Sequence, residues 1–263
     1  MGRIINIGYK ILAVVLLAYV LVYGLTVEVP AMPGLEESSR NLFYHVPMWF
    51  VVITLMTISV VQSVRFLRMS DPDREAVSGI PLHTDLKARE AARTGVLFAV
   101  LGLITGTIWG RVAWKADYDW FDPAAWWTND PIIICASISL LIYLAYFLLR
   151  SSINDLEQRA RISAVYNIFA FATLIPLYFI VPKILPGLHP TSADSDAGGG
   201  SFIFMREGID QTYRLILYPA MIGFSLLGGW MYELRTRWAI AERRLEEQEV
   251  QSDVIGFTEV NPS

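Results

Sequence analysis

The chain has 263 residues, of which 54% are hydrophobic and 17% charged, with a formal net charge of −4. Soluble domains carry about a quarter charged residues, whereas the few charges of this chain are gathered between long apolar runs. The composition lacks the clustered basic residues of a nucleic-acid-binding protein, so we expect no nucleic-acid partner. The single cysteine, Cys135, excludes an intramolecular disulfide and a CxxC redox pair.

Six apolar runs are each long enough to cross a hydrocarbon core as a helix, which takes about 20 residues. They lie at about 5–27, 44–64, 94–113, 131–149, 162–182 and 214–232. Strands of membrane barrels are shorter and alternate in polarity, so we predict an all-α polytopic membrane protein with six transmembrane helices. We expect residues 1–234 to form one transmembrane domain and 235–263 a cytoplasmic tail that begins with a short charged helix at about 238–250.

The connections between the apolar runs alternate in charge along the chain. The first, third and fifth are poor in Lys and Arg, whereas the second, the fourth and the start of the tail are rich in them. Because cytoplasmic loops carry an excess of Lys and Arg, this pattern predicts that both ends of the chain are cytoplasmic. The odd-numbered connections then lie on the outer face.

Two of the three histidines fall in these outer connections. His45 lies in the segment YHVPMW (44–49) at the mouth of the second run, and His189 lies in PGLHP (186–190) just past the fifth. A lone interfacial histidine is ordinarily not a ligand, and this simple interpretation stays open for both residues. Two histidines on one face suit a metal that imidazole binds, and haem iron fits two opposed imidazoles better than tetrahedral zinc does.

The third connection is rich in aromatic residues. Residues 109–127 read WGRVAWKADYDWFDPAAWW and contain five tryptophans in nineteen residues. An interfacial aromatic belt explains one or two tryptophans per helix end, so the excess favours a shelf for a flat apolar ring. The candidate shelf residues are Trp109, Trp114, Tyr118, Trp120, Trp126 and Trp127. Haem propionates would need cations nearby, and Arg40 is a candidate.

Together these motifs resemble the cytochrome c biogenesis family that includes CcmC, CcmF and CcsA, and most closely its CcmC type. The resemblance lies in 44–49, in GTIWG (106–110) leading into the tryptophan-rich loop, and in LHP (188–190). It covers about residues 40–190 and the last apolar run. The loop departs from the family's WWD motif, because 114–122 has no tryptophan pair before its aspartate and a pair occurs instead at 126–127.

The resemblance implies a haem-handling protein of the bacterial inner membrane with its site on the periplasmic side. His45 and His189 would be the axial ligands of a non-covalently and transiently bound haem b, the loop aromatics would form its platform, and Arg40 would lie beside the first ligand. The implied function is haem binding, export and delivery for cytochrome c maturation. The implied partners are a periplasmic haem chaperone, subunits of an ABC-type transporter and membrane lipid. The chain has no nucleotide-binding motif, so any ATP would be used by a partner.

Two other classes of function remain open. A membrane b-type cytochrome, acting as an electron-transfer subunit, would carry histidine pairs within its helices, whereas neither outward histidine is at mid-helix. A generic secondary transporter would carry charged residues and broken helices at mid-membrane, where these apolar runs offer few. No nucleophile–base pair or metal triad is visible in the sequence, so we do not expect an enzyme.

Overall fold

A computed structural model describes residues 2–30, 36–69, 80–113, 130–187, 189 and 210–260. These ranges are predominantly helical, and they include six helices that are long and apolar enough to cross a membrane. The prediction of an all-α multi-pass membrane protein is confirmed. The orientation of the helices relative to the two sides of the membrane stays a prediction.

The six spanning helices follow the six predicted apolar runs in order. They are α1 (Gly2–Thr26), α2 (Leu42–Met69), α3 (Ile80–Ala113), α4 (Pro131–Ser151), α5 (Leu156–Phe179) and α6 (Gln211–Val260). A 3-10 helix (Glu36–Asn41) leads into α2, and a helical turn (Val181–Ile184) follows α5.

Two helices extend well past their apolar runs. Helix α3 begins at Ile80 rather than near residue 94. Helix α6 has 50 residues and continues without a break to Val260, where we expected a short charged helix at about 238–250. At about 1.5 Å per residue it is about 75 Å long, more than twice the thickness of a hydrocarbon core of about 30 Å. Hydropathy identifies only the part of a helix that lipid can cover, and it does not predict the polar helical turns that extend past that part.

Helix α2 lies at the centre of the bundle. It packs most extensively against α3 and also contacts α5 and α6, while α1 packs on α6 and α4 on α5. Its inward side chains, including Val51 and Leu55, are fully buried. Apolar side chains such as Val22 and Leu148 point outward and are exposed, as expected where lipid covers the surface.

Asn167 of α5 is one of the few polar side chains in an apolar run. Its amide nitrogen donates hydrogen bonds to the hydroxyl oxygens of Ser59 and Ser63 on α2, over 2.7 and 2.8 Å. All three residues are buried. Hydrogen bonds of this kind hold membrane helices together, so this polar residue joins α5 to α2.

Because consecutive helices run in opposite directions, the bundle has two distinct ends. At the His45 end, α2, α4 and α6 begin and α1, α3 and α5 end. At the Arg150 end, α2 and α4 end, α3 and α5 begin, and the polar part of α6 leaves the bundle. The predicted haem ligands belong to the first of these ends.

Candidate haem site at the His45 end

His45 lies in the first turn of α2 and is buried, with 6% of its surface exposed. Its Nδ1 atom is 3.2 Å from the hydroxyl oxygen of Thr105 on α3. The indole N–H of Trp49 donates a hydrogen bond to His45 Nε2 over 3.3 Å. Since an indole N–H can only donate, Nε2 is the unprotonated nitrogen of a neutral imidazole, and Nδ1 carries the proton. A neutral imidazole is the form that binds iron, through such an unprotonated nitrogen.

Helix α3 approaches the His45 ring so closely that a side chain would not fit between them. A Cβ atom at Gly106 would lie 2.5 Å from Cε1 of His45, closer than real Cβ contacts come. One turn earlier, a Cβ at Gly102 would lie 3.0 Å from the ring of Trp49. Glycine at these two positions therefore creates the space in which both rings lie.

Two tryptophans present their rings edge-on to His45. The ring centroids of Trp49 and Trp109 are 6.1 and 5.9 Å from that of His45. The indole N–H of Trp109 donates to the hydroxyl of Ser38 over 3.3 Å, and Trp49 also packs against Tyr178 of α5. Trp109 is therefore the one predicted shelf residue that the structure places beside His45. The others, Trp114, Tyr118, Trp120, Trp126 and Trp127, lie outside the described residues.

His189, the second predicted ligand, follows α5 and lies at the same end of the bundle. The imidazoles of His189 and His45 are close enough to interact electrostatically. Burial lowers the pKa of His189, and the nearby carboxylate of Asp130 acts in the opposite direction. Because the shift keeps the pKa below the ordinary value, the His189 ring is neutral near pH 7 and carries a lone pair for a metal.

Asp130 belongs to this site, although it was not among the candidate site residues predicted from the sequence. It is fully buried, and its Oδ1 accepts hydrogen bonds from the backbone N–H groups of Ile132 and Ile133, over 2.8 and 3.3 Å, as the N-cap of α4. Its Oδ2 atom is buried and accepts no hydrogen bond from the described residues. The available signal was its position directly before Pro131, since an acidic cap followed by proline marks a helix start.

Arg40, the predicted propionate partner, forms hydrogen bonds at the C-terminal end of α1. One of its terminal nitrogens, Nη1, donates to the carbonyl oxygens of Gly24 and Val27 over 3.0 and 2.7 Å, and its Nε donates to Glu37 over 2.7 Å. Cations stabilise the exposed carbonyls at a helix C-terminus, so Arg40 caps α1. Its contact with a propionate stays a prediction.

Comparison with known proteins identifies the family. The family model of CcmC, heme exporter protein C, matches residues 2–251. This chain belongs to that family. The match runs from α1 into the polar part of α6, further than the residues that carried the resemblance in sequence.

Individual relatives agree with the family match. Heme exporter protein C of Paracoccus denitrificans is 29% identical over 206 residues, which cover 78% of this chain and 75% of the relative. The protein of the same name from Rhodobacter capsulatus is 27% identical over 220 residues, covering 84% of this chain and 80% of the relative. The cytochrome c biogenesis protein CcsA of Prochlorococcus marinus is 36% identical over 95 residues, or 36% of this chain and 26% of the relative. The predicted resemblance to CcmC and CcsA is confirmed.

Proposed function

We propose that this protein binds haem at the His45 end of its bundle and delivers it for cytochrome c maturation. The observation that carries the proposal is a buried, neutral His45 within electrostatic range of His189, in a chain of the heme exporter protein C family. Two neutral imidazoles supply a suitable donor set for haem iron. The indole rings around His45 suit the apolar face of the haem macrocycle.

In this proposal His45 and His189 are the axial ligands, each oriented through its second ring nitrogen. Metal-bound imidazoles ordinarily give their other N–H to a carboxylate, a carbonyl or water. For His45 the acceptor is the hydroxyl oxygen of Thr105, whose own proton goes to the carbonyl of Leu101 over 2.8 Å. For His189 we propose Asp130, whose charge already acts on that ring. Asp130 is then a positioning residue that orients the second ligand.

Trp49 supplies a reason for transient binding. Its indole N–H bonds to the Nε2 atom of His45, which is the nitrogen that we propose for iron. Haem iron and Trp49 would therefore compete for one lone pair, and the Trp49 N–H would have to give up its hydrogen bond for iron to bind. When haem leaves, the hydrogen bond forms again and the lone pair is satisfied within the protein, which lowers the cost of release.

The family resemblance supports the remaining parts of the proposal. The cargo is haem b, held without a covalent bond, with Trp109 and the tryptophan-rich loop as its platform and Arg40 near a propionate. The site faces the periplasm from the inner membrane. A periplasmic haem chaperone would receive the cargo, and ABC-type transporter subunits would use ATP. The chain itself contributes binding and orientation rather than turnover.

The test is the visible absorption spectrum of the detergent-purified protein after incubation with haem. We expect a Soret band in the wild type that is lost or shifted in His45→Ala and in His189→Ala. His83→Ala is the matched control, because His83 lies near the start of α3 at the Arg150 end and should leave the spectrum unchanged. A wild type that stays colourless with excess haem would contradict haem binding. Spectra unchanged in both ligand variants would contradict the assignment of the ligands.

A further inference from the structure

A cavity of about 250 Å³ lies at the Arg150 end, between α3, α4, α5 and α6. Each of the four helices contributes one arginine to its lining: Arg89, Arg150, Arg159 and Arg243. Arg89 precedes Gly106 by about 17 residues on α3, which corresponds to about 25 Å along the helix. The cavity is therefore separate from the proposed haem site.

Three of the four arginines have acidic partners. Arg150 binds Asp85 through two parallel hydrogen bonds of 2.7 and 2.6 Å, and both side chains are buried. Arg89 and Arg243 pair with glutamates of their own helices. The closest N–O distance is 2.7 Å for Arg89 and 2.9 Å for Arg243. Each of these three arginines therefore has at least one acidic partner among the described residues.

Arg159 is the exception. It is half-buried in the first turn of α5, and its guanidinium makes no ion pair or hydrogen bond with the described part of the chain. Among the charged side chains that act on it, Arg150 has the largest effect, Asp85 opposes it, and Arg89 and Arg243 act in the same direction as Arg150. Asp85 is already bound to Arg150. A half-buried cation that faces other cations is unfavourable unless an anion joins it.

We propose that this cavity binds a phosphate group, supplied by the headgroup of an anionic lipid or by free phosphate, and that Arg159 pairs with it. Planar guanidinium groups bind phosphate oxygens in pairs, with good geometry. Two glutamates of α6, Glu242 and Glu246, also line the cavity, so we place the anion on the side of α4 and α5. This proposal does not involve haem.

The surroundings of the cavity favour a lipid as the source of the phosphate. Trp238 on α6 is 74% exposed and precedes Arg243 by less than two turns. Leu148 on α4 is 72% exposed and directly precedes the last turn that carries Arg150. Exposed tryptophan is typical of the membrane–water interface. Basic pockets between membrane helices at that level bind anionic headgroups.

The experiment is native mass spectrometry of the detergent-purified full chain with added phosphatidylglycerol, and separately with phosphatidylcholine. We expect the wild type to retain phosphatidylglycerol selectively and Arg159→Gln to bind it about tenfold more weakly, as for loss of one charged hydrogen-bonding partner. Arg161→Gln is the matched control, because Arg161 is exposed and lies two positions further along α5. Thermal unfolding of each variant reports whether it is folded.

The outcomes separate the sources of the phosphate. If inorganic phosphate at millimolar concentration displaces phosphatidylglycerol and stabilises the wild type but not Arg159→Gln, free phosphate is a ligand of the same site. If phosphatidylglycerol binds but inorganic phosphate neither displaces it nor stabilises the wild type, the lipid headgroup is the ligand. Equal retention of the two lipids by the wild type, or unchanged binding in a folded Arg159→Gln protein, would overturn the proposal. A failure of haem binding would leave this result unaffected.

Discussion

The two ends of the bundle satisfy their buried polar groups in different ways. At the His45 end the central group is a neutral ring, held by hydrogen bonds to Thr105 and Trp49 and by the edges of aromatic rings. At the Arg150 end the buried groups are charged and are neutralised by ion pairs, above all between Asp85 and Arg150. At the His45 end, one hydrogen bond can be broken at a small cost in free energy. At the Arg150 end, the ion pairs lock helices together, because separating a buried pair leaves a charge uncompensated.

Glu90 is a second buried charge at the Arg150 end that is neutralised by ion pairs. Its carboxylate is 3% exposed and receives Arg89 and Arg93 of α3 together with Arg235 of α6, at 2.7, 3.1 and 3.0 Å. One buried carboxylate thus ties the polar start of α3 to the polar part of α6. This ion-pair cluster joins α3 to α6 just beyond the apolar runs that hydropathy predicts.

The largest expected effect comes from uncoupling the Arg150 end. Asp85→Asn leaves the buried Arg150 without its acidic partner, which should lower the free energy of unfolding by about 3–5 kcal/mol. The measurement is unfolding in detergent, followed by haem titration of the folded protein, whose affinity should change little. Glu247→Gln is the control: Glu247 is 54% exposed in its pair with Arg243, and its loss should cost about 0.5 kcal/mol or less. Equal stability of Asp85→Asn and wild type would contradict the comparison.

Asp130→Asn tests whether the His45 end also depends on one buried charge. Asparagine keeps a good helix cap for α4 but removes the carboxylate that we propose as the partner of His189. Loss of such an orienting group typically weakens metal affinity by about 10- to 100-fold. We expect that loss in haem titrations, together with a changed redox midpoint of the bound haem. If affinity and midpoint both match the wild type, Asp130 acts only as a helix cap.

Gly106→Ala tests the space beside His45. The added methyl group would overlap Cε1 of the imidazole, and moving the ring should weaken haem binding by about tenfold, or about 1.4 kcal/mol, which lies within the usual cost of overpacking. Gly229→Ala on α6 is the control, because a Cβ there has no neighbour within 4 Å. Wild-type haem affinity in Gly106→Ala would show that the cleft tolerates a side chain and that the ring can shift freely.

Trp49→Phe has the smallest expected effect and the opposite sign. It keeps an aromatic ring but removes the N–H that occupies Nε2 of His45, so haem should bind about two- to tenfold more tightly. The measurement is the rate of haem transfer to an excess of a haem-scavenging apoprotein, which should fall. Trp230→Phe is the control, since that ring contacts Lys10 rather than His45. Weaker or unchanged binding in Trp49→Phe would contradict competition between Trp49 and iron.

Much of this protein was predictable because its strongest signals are local. A membrane span is a run of consecutive apolar residues, so the six helices could be located without knowing their neighbours. The segments around His45 and His189 were likewise recognisable from adjacent residues. Helix ends were less predictable: α3 starts before its apolar run and α6 continues past its own, in polar turns that hydropathy does not register, and Glu90 with its arginines joins the two helices there.

By itself, the sequence determined the helical class, the number of spans, the family resemblance and the two candidate ligands. Only the tertiary structure decided which side chains meet them. His45 contacts Thr105 and lies directly against Gly106, two residues of another helix that are about 60 positions away in the chain. Asp130 approaches His189 from the start of α4, and Arg159 meets three arginines from three other helices. Such contacts depend on which helices pack side by side and how each is rotated, and no local pattern of residues encodes that geometry.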